Sequence, residues 1–204
     1  MIAITARNLL AALLCLMAVA VPGGAKADQP TDVVGRLNDG IIALMRSAQS
    51  GVPASARIRD FEKVVRRDFD LETSLRVAAP GYDRAAETER RALVDAFARR
   101  NAAQYVSRFD AYKGETIEIS GERPGPRGTS LVETHLNRAG NSPVILTYVL
   151  RQTGDRWGIV DVLLKGTVSQ LAVQRSDFAT TLRSGGLPAL THELNGYADG
   201  VARQ

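Results

Sequence analysis

The sequence contains few of the residues that catalytic and metal sites use most. Its 204 residues include one cysteine, Cys15, and two histidines, His135 and His192. It has no HExxH zinc motif, no G-x-S-x-G nucleophile elbow and no Walker A loop. Its glycine-rich stretch, 121–128, contains two prolines and is predicted to lie between two strands, which is not the setting of a phosphate-binding loop. These absences disfavour thiol, zinc and phosphate-loop chemistry, and we expect no metal and no cofactor.

The chain also lacks a segment dominated by charge of one sign, although its net charge is positive. There are 26 basic and 22 acidic residues, and 22 of the basic residues are arginine. Acidic residues are interleaved with the arginines along most of the chain, whereas nucleic-acid binders usually gather their basic residues in a patch or stripe. The sequence therefore predicts no nucleic-acid partner.

The one long apolar run, residues 9–21, lies near the N-terminus. It spans 13 residues, fewer than the roughly 20 that a transmembrane helix needs. Arg7 precedes it, and Ala25-Lys26-Ala27 follows it with the small-x-small pattern of a cleavage site. We expect residues 1–27 to be a signal peptide cleaved after Ala27, with periplasmic localisation as the consequence. Cys15 would be lost with it, so the remaining 177 residues would rely on their core without disulfides.

Hydrophobic periodicity changes from helical to strand-like and back along residues 28–204. Apolar residues recur at helical spacing in four segments up to about residue 112. Runs of β-forming residues follow at 115–121, 129–138, 143–152 and 156–164, separated by turn residues. Two further helices are predicted after Gly166, with Gly185 and Gly186 between them. This order predicts one α+β domain: N-terminal helices, a curved four-stranded antiparallel meander and two C-terminal helices.

The last predicted strand is apolar at both alternating sets of positions. Strict alternation places Val160, Val162 and Leu164 on one face, and Ile159 and Leu163 with Asp161 on the other. A sheet that is apolar on both faces is either covered on both or lines a cavity on one. The residues alone leave ordinary core and cavity equally open.

An ordered set of motifs in the second half resembles the MlaC family, also called the toluene-tolerance proteins. Trp157 is followed four residues later by Asp161, then by the helix start at 166–169, by Phe178, and by the segment 182–190 with its paired glycines. Phe97, Tyr105, Phe109 and the 112–115 junction match more loosely upstream. The 166–169 segment, with Thr167 after its glycine, is most similar to the hopanoid-associated branch of the family, HpnM.

The resemblance implies an NTF2-like fold whose sheet and helices enclose an apolar cavity, and a soluble monomeric periplasmic carrier that moves lipid between the inner and outer membranes. The implied cargo is a hopanoid or a phospholipid. The implied partners are an inner-membrane transporter, of the RND type or an ABC transporter with an MCE-domain subunit, and an outer-membrane acceptor. On this basis we expect the cavity to be lined by Tyr105, Phe109, Leu146, Tyr148, Val160, Val162, Leu164, Val168 and Leu171.

Two alternatives remain at this stage. In the first, the same fold is an enzyme that acts on an apolar substrate through Asp161 and His135. In the second, the protein is a lipid-free adaptor that docks between membrane complexes through the arginine pairs at 66–67, 90–91 and 99–100.

Overall fold

Helices form the first part of the described chain because their apolar residues fall on one face. A computed structural model of the protein describes residues 28–204, so the predicted signal peptide lies outside the described residues. The N-terminal helices are α1 (Pro30–Gln49), α2 (Ala54–Asp68), α3 (Leu71–Ala78) and α4 (Glu87–Arg108), with a 3₁₀ turn at Tyr82–Arg84. Pro30 occupies the first turn of α1, where the missing N–H costs nothing, and Gln29 is the N-cap residue.

Five strands follow and form one antiparallel meander in sequence order. They are β1 (Thr116–Pro124), β2 (Ser130–Asn137), β3 (Val144–Thr153), β4 (Arg156–Leu164) and β5 (Val168–Ser169). The predicted α+β fold is confirmed, with one strand more than expected. The difference arises at Val168, which was predicted to belong to a helix but pairs with Leu164 at the edge of the sheet.

The last element, α5 (Gln170–Ala202), is two helical halves joined at Gly186. Gly186 has φ 64° and ψ −158°, a conformation that is available essentially to glycine only. Pro188 follows in the first turn of the second half, where proline is tolerated. The two predicted C-terminal helices are therefore present, and their break lies at the predicted glycines.

A β-bulge in β4 changes which residues face the helices. Leu150 pairs with Ile159 and Val149 pairs with Asp161, so Val160 is the extra residue. Ile159 consequently shares the helix-covered face with Val162 rather than the opposite face with Asp161. The assignment of faces by strict alternation was wrong at this point, because alternation assumes an unbroken ladder.

The junction between α2 and α3 is attached directly to β4. The N–H of Asp70 donates to the carbonyl of Ile159 at 2.9 Å, and the hydroxyl of Ser74 donates to the carbonyl of Val160 at 3.0 Å. Gly158 permits this approach, because a Cβ at that position would lie 2.9 Å from the Cβ of Asp70. The attachment holds β4 under the helices and leaves a cleft beyond Val160.

Candidate functional site

A cleft opens where β3 and β4 meet the C-terminal part of α4 and the first turns of α5. Most of its lining is apolar, and its polar members are concentrated on the two helices. The lining residues are Phe69, Ser74, Phe97, Asn101, Gln104, Tyr105, Arg108, Phe109, Leu146, Val160, Asp161, Val162, Gln170, Leu171 and Gln174. An apolar concave surface with a few polar groups is the usual form of a small-molecule site.

Aromatic rings form one wall of the cleft around Tyr105. Its ring stacks on Phe109 with centroids 5.9 Å apart and lies 4.8 Å from the ring of Phe61 and 6.4 Å from that of Phe69. Burial raises the pKa of the Tyr105 hydroxyl well above its usual value, because the phenolate would lose its hydration. The wall therefore carries no charge at physiological pH.

The cleft is narrow, but it adjoins a wider outer cavity. The cleft has a volume of about 110 Å³, or about 740 Å³ when its open mouth is included. The outer cavity has a volume of about 550 Å³ and is bordered by Leu136, Val144 and Leu164, among other residues. Phe109 and Leu146 line both spaces. The two spaces therefore adjoin each other at these residues.

Asp161 attaches the start of α5 to the sheet. Its Oδ1 accepts from the N–H of Leu171 at 2.9 Å and from that of Val162 at 2.7 Å, and its Oδ2 accepts from the hydroxyl of Ser169 at 2.6 Å. Ser169 is itself the N-cap and accepts from the N–H of Ala172. The carboxylate thus holds the helix that closes the cleft, a structural role that uses both of its oxygens.

The structure brings six of the nine predicted cavity residues together, and Leu164 lies in the adjoining space. Tyr148 and Val168 are placed elsewhere. Tyr148 is fully buried in the core, whereas Val168 is 48% exposed because it lies in the edge strand β5 rather than in a helix. The six in the cleft are Tyr105, Phe109, Leu146, Val160, Val162 and Leu171.

Apart from Asp161, the polar residues of the cleft were not predicted from the sequence. On α4 the positions 97, 101, 105 and 108 follow one face of the helix at i, i+4, i+8 and i+11. Phe97 and Tyr105 could have directed attention to Asn101 and Arg108, which share their face. Neither was predicted as a lining residue, because the cavity was expected to be apolar.

The residues of the enzyme alternative are far apart. His135 pairs with Ile145 of β3 and Asp161 pairs with Val149, so they are separated by four residues along the sheet, about 13 Å, and also by an intervening strand. His135 contacts Glu133 at 3.3 Å on the opposite side of the sheet from the core. In residues 28–204 no group of His, Cys, Asp or Glu side chains is placed to hold a metal ion.

The arginine pairs of the adaptor alternative are largely engaged within the fold. Arg66 contacts Glu62 and Asp95, and Arg67 contacts Asp68. Arg90 and Arg91 both contact Glu87, and Arg99 contacts Asp199. Arg100 donates to Gln104 and lies over the rings of Phe178 and Tyr197. Intramolecular pairing neutralises most of the positive charge that such docking would require.

The fold and the cleft define an α+β binding protein with an apolar site rather than an array of catalytic groups. Across residues 28–204, no helix combines the length and apolarity that crossing a membrane requires.

The chain belongs to the MlaC family: the family model described as MlaC protein matches residues 36–196. This confirms the predicted family and leaves the assignment to the HpnM branch as a prediction. No curated protein matches the sequence significantly. Among solved structures, a phospholipid-binding protein from Ralstonia solanacearum, in complex with a phospholipid, is similar with a TM-score of 0.67 at 16% identity, over 86% of this chain and 99% of that one. Family and fold together support a lipid-binding carrier.

Proposed function

We propose that residues 28–204 are a single lipid-binding domain that carries lipid through the periplasm after cleavage of a signal peptide at Ala27. The observation that carries the proposal is the apolar cleft closed by Leu171 of α5, Val162 of β4 and Phe109, which directly follows α4. Because the cleft lies between the sheet and two helices, those elements would shield a bound lipid from water. Membership of the MlaC family supports the same conclusion.

The energetics of transfer explain why such a cleft is needed. Exposing an acyl chain to water costs about 0.8 kcal/mol per CH₂ group, so a chain of about 16 carbons costs on the order of 12 kcal/mol. A cleft that replaces water with apolar side chains removes most of that barrier. Its narrowness favours reversible binding, because the walls must separate when lipid enters and close when it leaves.

The cargo proposed here is a hopanoid or a phospholipid. A fused-ring hopanoid suits the flat space between the Tyr105–Phe109 stack and β4. A phospholipid suits the two adjoining spaces, with one part in the cleft and the rest in the outer cavity; the Ralstonia protein of the same fold was solved with a phospholipid. The proposed partners are an inner-membrane transporter of the RND or ABC type, which exchanges lipid with the carrier, and an outer-membrane acceptor.

The test is to purify the mature protein from native periplasm, extract it with organic solvent and identify bound lipid by mass spectrometry. We expect stoichiometric lipid with the wild type and none with Leu171→Arg, which places a charge in the cleft. Val173→Arg is the matched control, because Val173 lies on the same helix and is 44% exposed. A lipid-free wild type, or equal lipid in both variants, would contradict the proposal.

A further inference from the structure

Four uncharged amide side chains line the cleft where α4 faces α5. Asn101 and Gln104 come from α4, and Gln170 and Gln174 come from α5. We call this group the amide seam. It lies opposite the apolar wall formed by the sheet, so the cleft is amphipathic in cross-section.

The inner pair of the seam is nearly buried and only partly hydrogen-bonded. Asn101 and Gln174 are each 9% exposed. Nδ2 of Asn101 donates to the carbonyl of Phe97 at 2.8 Å, and Nε2 of Gln174 donates to Oδ1 of Asn101 over a long 3.4 Å. An amide offers two donor hydrogens and an oxygen with two lone pairs. Within the described residues, the Oε1 of Gln174 accepts no hydrogen bond.

The outer pair has spare capacity of both kinds. Oε1 of Gln104 accepts from Arg100 at 2.9 Å, and Nε2 of Gln170 donates to the carbonyl of Val168 at 3.4 Å. No residue in 28–204 hydrogen-bonds to Nε2 of Gln104 or to Oε1 of Gln170. The seam therefore presents both free donors and free acceptors to the cleft.

Such an arrangement is unfavourable if the seam serves only to pack two helices. The unpaired amide atoms open onto the cleft and are not sealed in the core. Leucine or methionine at the nearly buried Asn101 and Gln174 would pack the two helices without leaving a hydrogen-bonding group unsatisfied. A ligand hydroxyl can accept from one amide and donate to another, and a ligand carbonyl can accept from the free N–H groups, so either oxygen would satisfy spare valences of the seam.

Charge indicates which kind of oxygen fits. The seam contains no ionised group. The carboxylate oxygens of the neighbouring Asp161 already accept hydrogen bonds from Leu171, Ser169 and Val162. Arg108, one turn beyond Gln104 on α4, is exposed and lines both the mouth of the cleft and the outer cavity. An anionic headgroup would be matched there, outside the seam.

We propose that the amide seam binds an uncharged oxygen group of the cargo lipid and thereby selects for lipids that carry one. The group is a hydroxyl if the cargo is a fused-ring alcohol, or an ester carbonyl if it is a diacyl phospholipid. This inference rests on the proposed carrier function and adds a polar contact to a site otherwise defined by its apolar wall.

The experiment compares lipids that differ only in that oxygen. One pair is a pentacyclic triterpenoid alcohol and its parent hydrocarbon; the other is diester and diether phosphatidylglycerol with equal chains. Affinities are measured by displacement of a fluorescent fatty acid from the mature protein. We expect the wild type to prefer the oxygen-bearing member of one pair by about tenfold, the effect of one buried hydrogen bond. The pair that shows the preference identifies the source of the oxygen.

The variant Gln174→Met keeps the length of the side chain and removes its amide. We expect Gln174→Met to lower the ratio of the two affinities to about one while the oxygen-free lipid still binds. Gln170→Met should lower the same ratio by a smaller amount. Arg175→Met, at the next and exposed position of α5, is expected to leave the preference unchanged. A preference that persists in Gln174→Met, or a wild type without preference, would overturn the seam proposal alone. A wild type that binds none of the four lipids would overturn the carrier function as well.

Discussion

Two of the helices that cover the sheet, α1 and the first half of α5, are held by different forces. α1 presents Val33, Val34, Leu37 and Ile41, all with no exposed surface. The start of α5 presents the half-buried Leu171 between two glutamines and is attached through the carboxylate of Asp161.

This difference suggests that α1 serves mainly the stability of the fold, whereas the start of α5 controls entry to the cleft. Burial of apolar side chains is not directional and stabilises by about 25 cal/mol per Å², so α1 cannot leave the sheet without a large cost. Hydrogen bonds to a carboxylate contribute less in net terms, because water replaces them when they break. The start of α5 is therefore the part of the cover that can separate from the sheet when a lipid enters.

The largest expected effect comes from the α1 side. Leu37→Ala should lower the free energy of unfolding by about 2–5 kcal/mol, the range for a leucine removed from a well-packed core. The measurement is the midpoint of urea denaturation. Val77→Ala is the control, since Val77 is 42% exposed and its loss should change stability by less than about 0.5 kcal/mol.

Lipid binding should be almost unchanged in Leu37→Ala under conditions where the variant is folded. A loss of stability smaller than that of the Asp161 variant below would mean that the two covers are held by similar forces.

A smaller effect is expected at the attachment of α5. Asp161→Asn removes the charge that assists the bonds from Leu171 and Ser169, and should cost about 1.5–3 kcal/mol. Hydrogen exchange should accelerate at the first amides of α5 before it changes in α1. Ser169→Ala, which removes the helix cap but leaves the carboxylate, should cost about 1 kcal/mol. Uniform acceleration of exchange across both helices would contradict a locally detachable α5.

The sequence predicted the helices and strands more successfully than the faces they present. Periodicity was sufficient for the order of elements, because each helix and strand buries one side. It failed at Val160, where the bulge depends on pairing with β3 and on the approach of Asp70 to Gly158. These are contacts between residues distant in the chain, and no local pattern in the sequence encodes them.

The site was predicted in its apolar half only. Tyr105 and Leu171 were predicted as lining residues because an apolar cavity was expected. Asn101 and Gln174 were not predicted, because they are polar. The sequence suggested two roles for Asp161: a catalytic base, or a partner for a nearby arginine or a turn amide. The structure supports the second, since its oxygens accept from Val162, Leu171 and Ser169.

The smallest effect at neutral pH is expected within the packed region itself. Tyr148 is fully buried, and its hydroxyl makes no hydrogen bond of good geometry among the described residues, with only the Thr134 hydroxyl near enough for a weak contact. Removing an unpartnered polar group relieves the cost of its burial, so Tyr148→Phe should leave the free energy of unfolding unchanged or raise it by up to about 1 kcal/mol. Urea denaturation at pH 7 measures the difference, with Tyr197→Phe at the 40% exposed Tyr197 as the control.

High pH should enlarge this difference. Burial raises the pKa of the Tyr148 hydroxyl well above its usual value, with the nearby Tyr105 adding to the rise and Thr134 partly offsetting it. A tyrosine in the unfolded chain ionises near pH 10. Since the folded pKa is the higher one, the stability of the wild type is complete below about pH 10 and falls as the pH rises toward the folded pKa.

Tyr148→Phe removes that proton linkage. Its advantage over the wild type should therefore grow above pH 10 by at most about 1.4 kcal/mol per pH unit. Parallel stability curves for the wild type and Tyr148→Phe between pH 9 and 11 would show that water reaches the hydroxyl. In that case the dry core would end before Tyr148, and the cleft would extend further under β3 than its lining residues indicate.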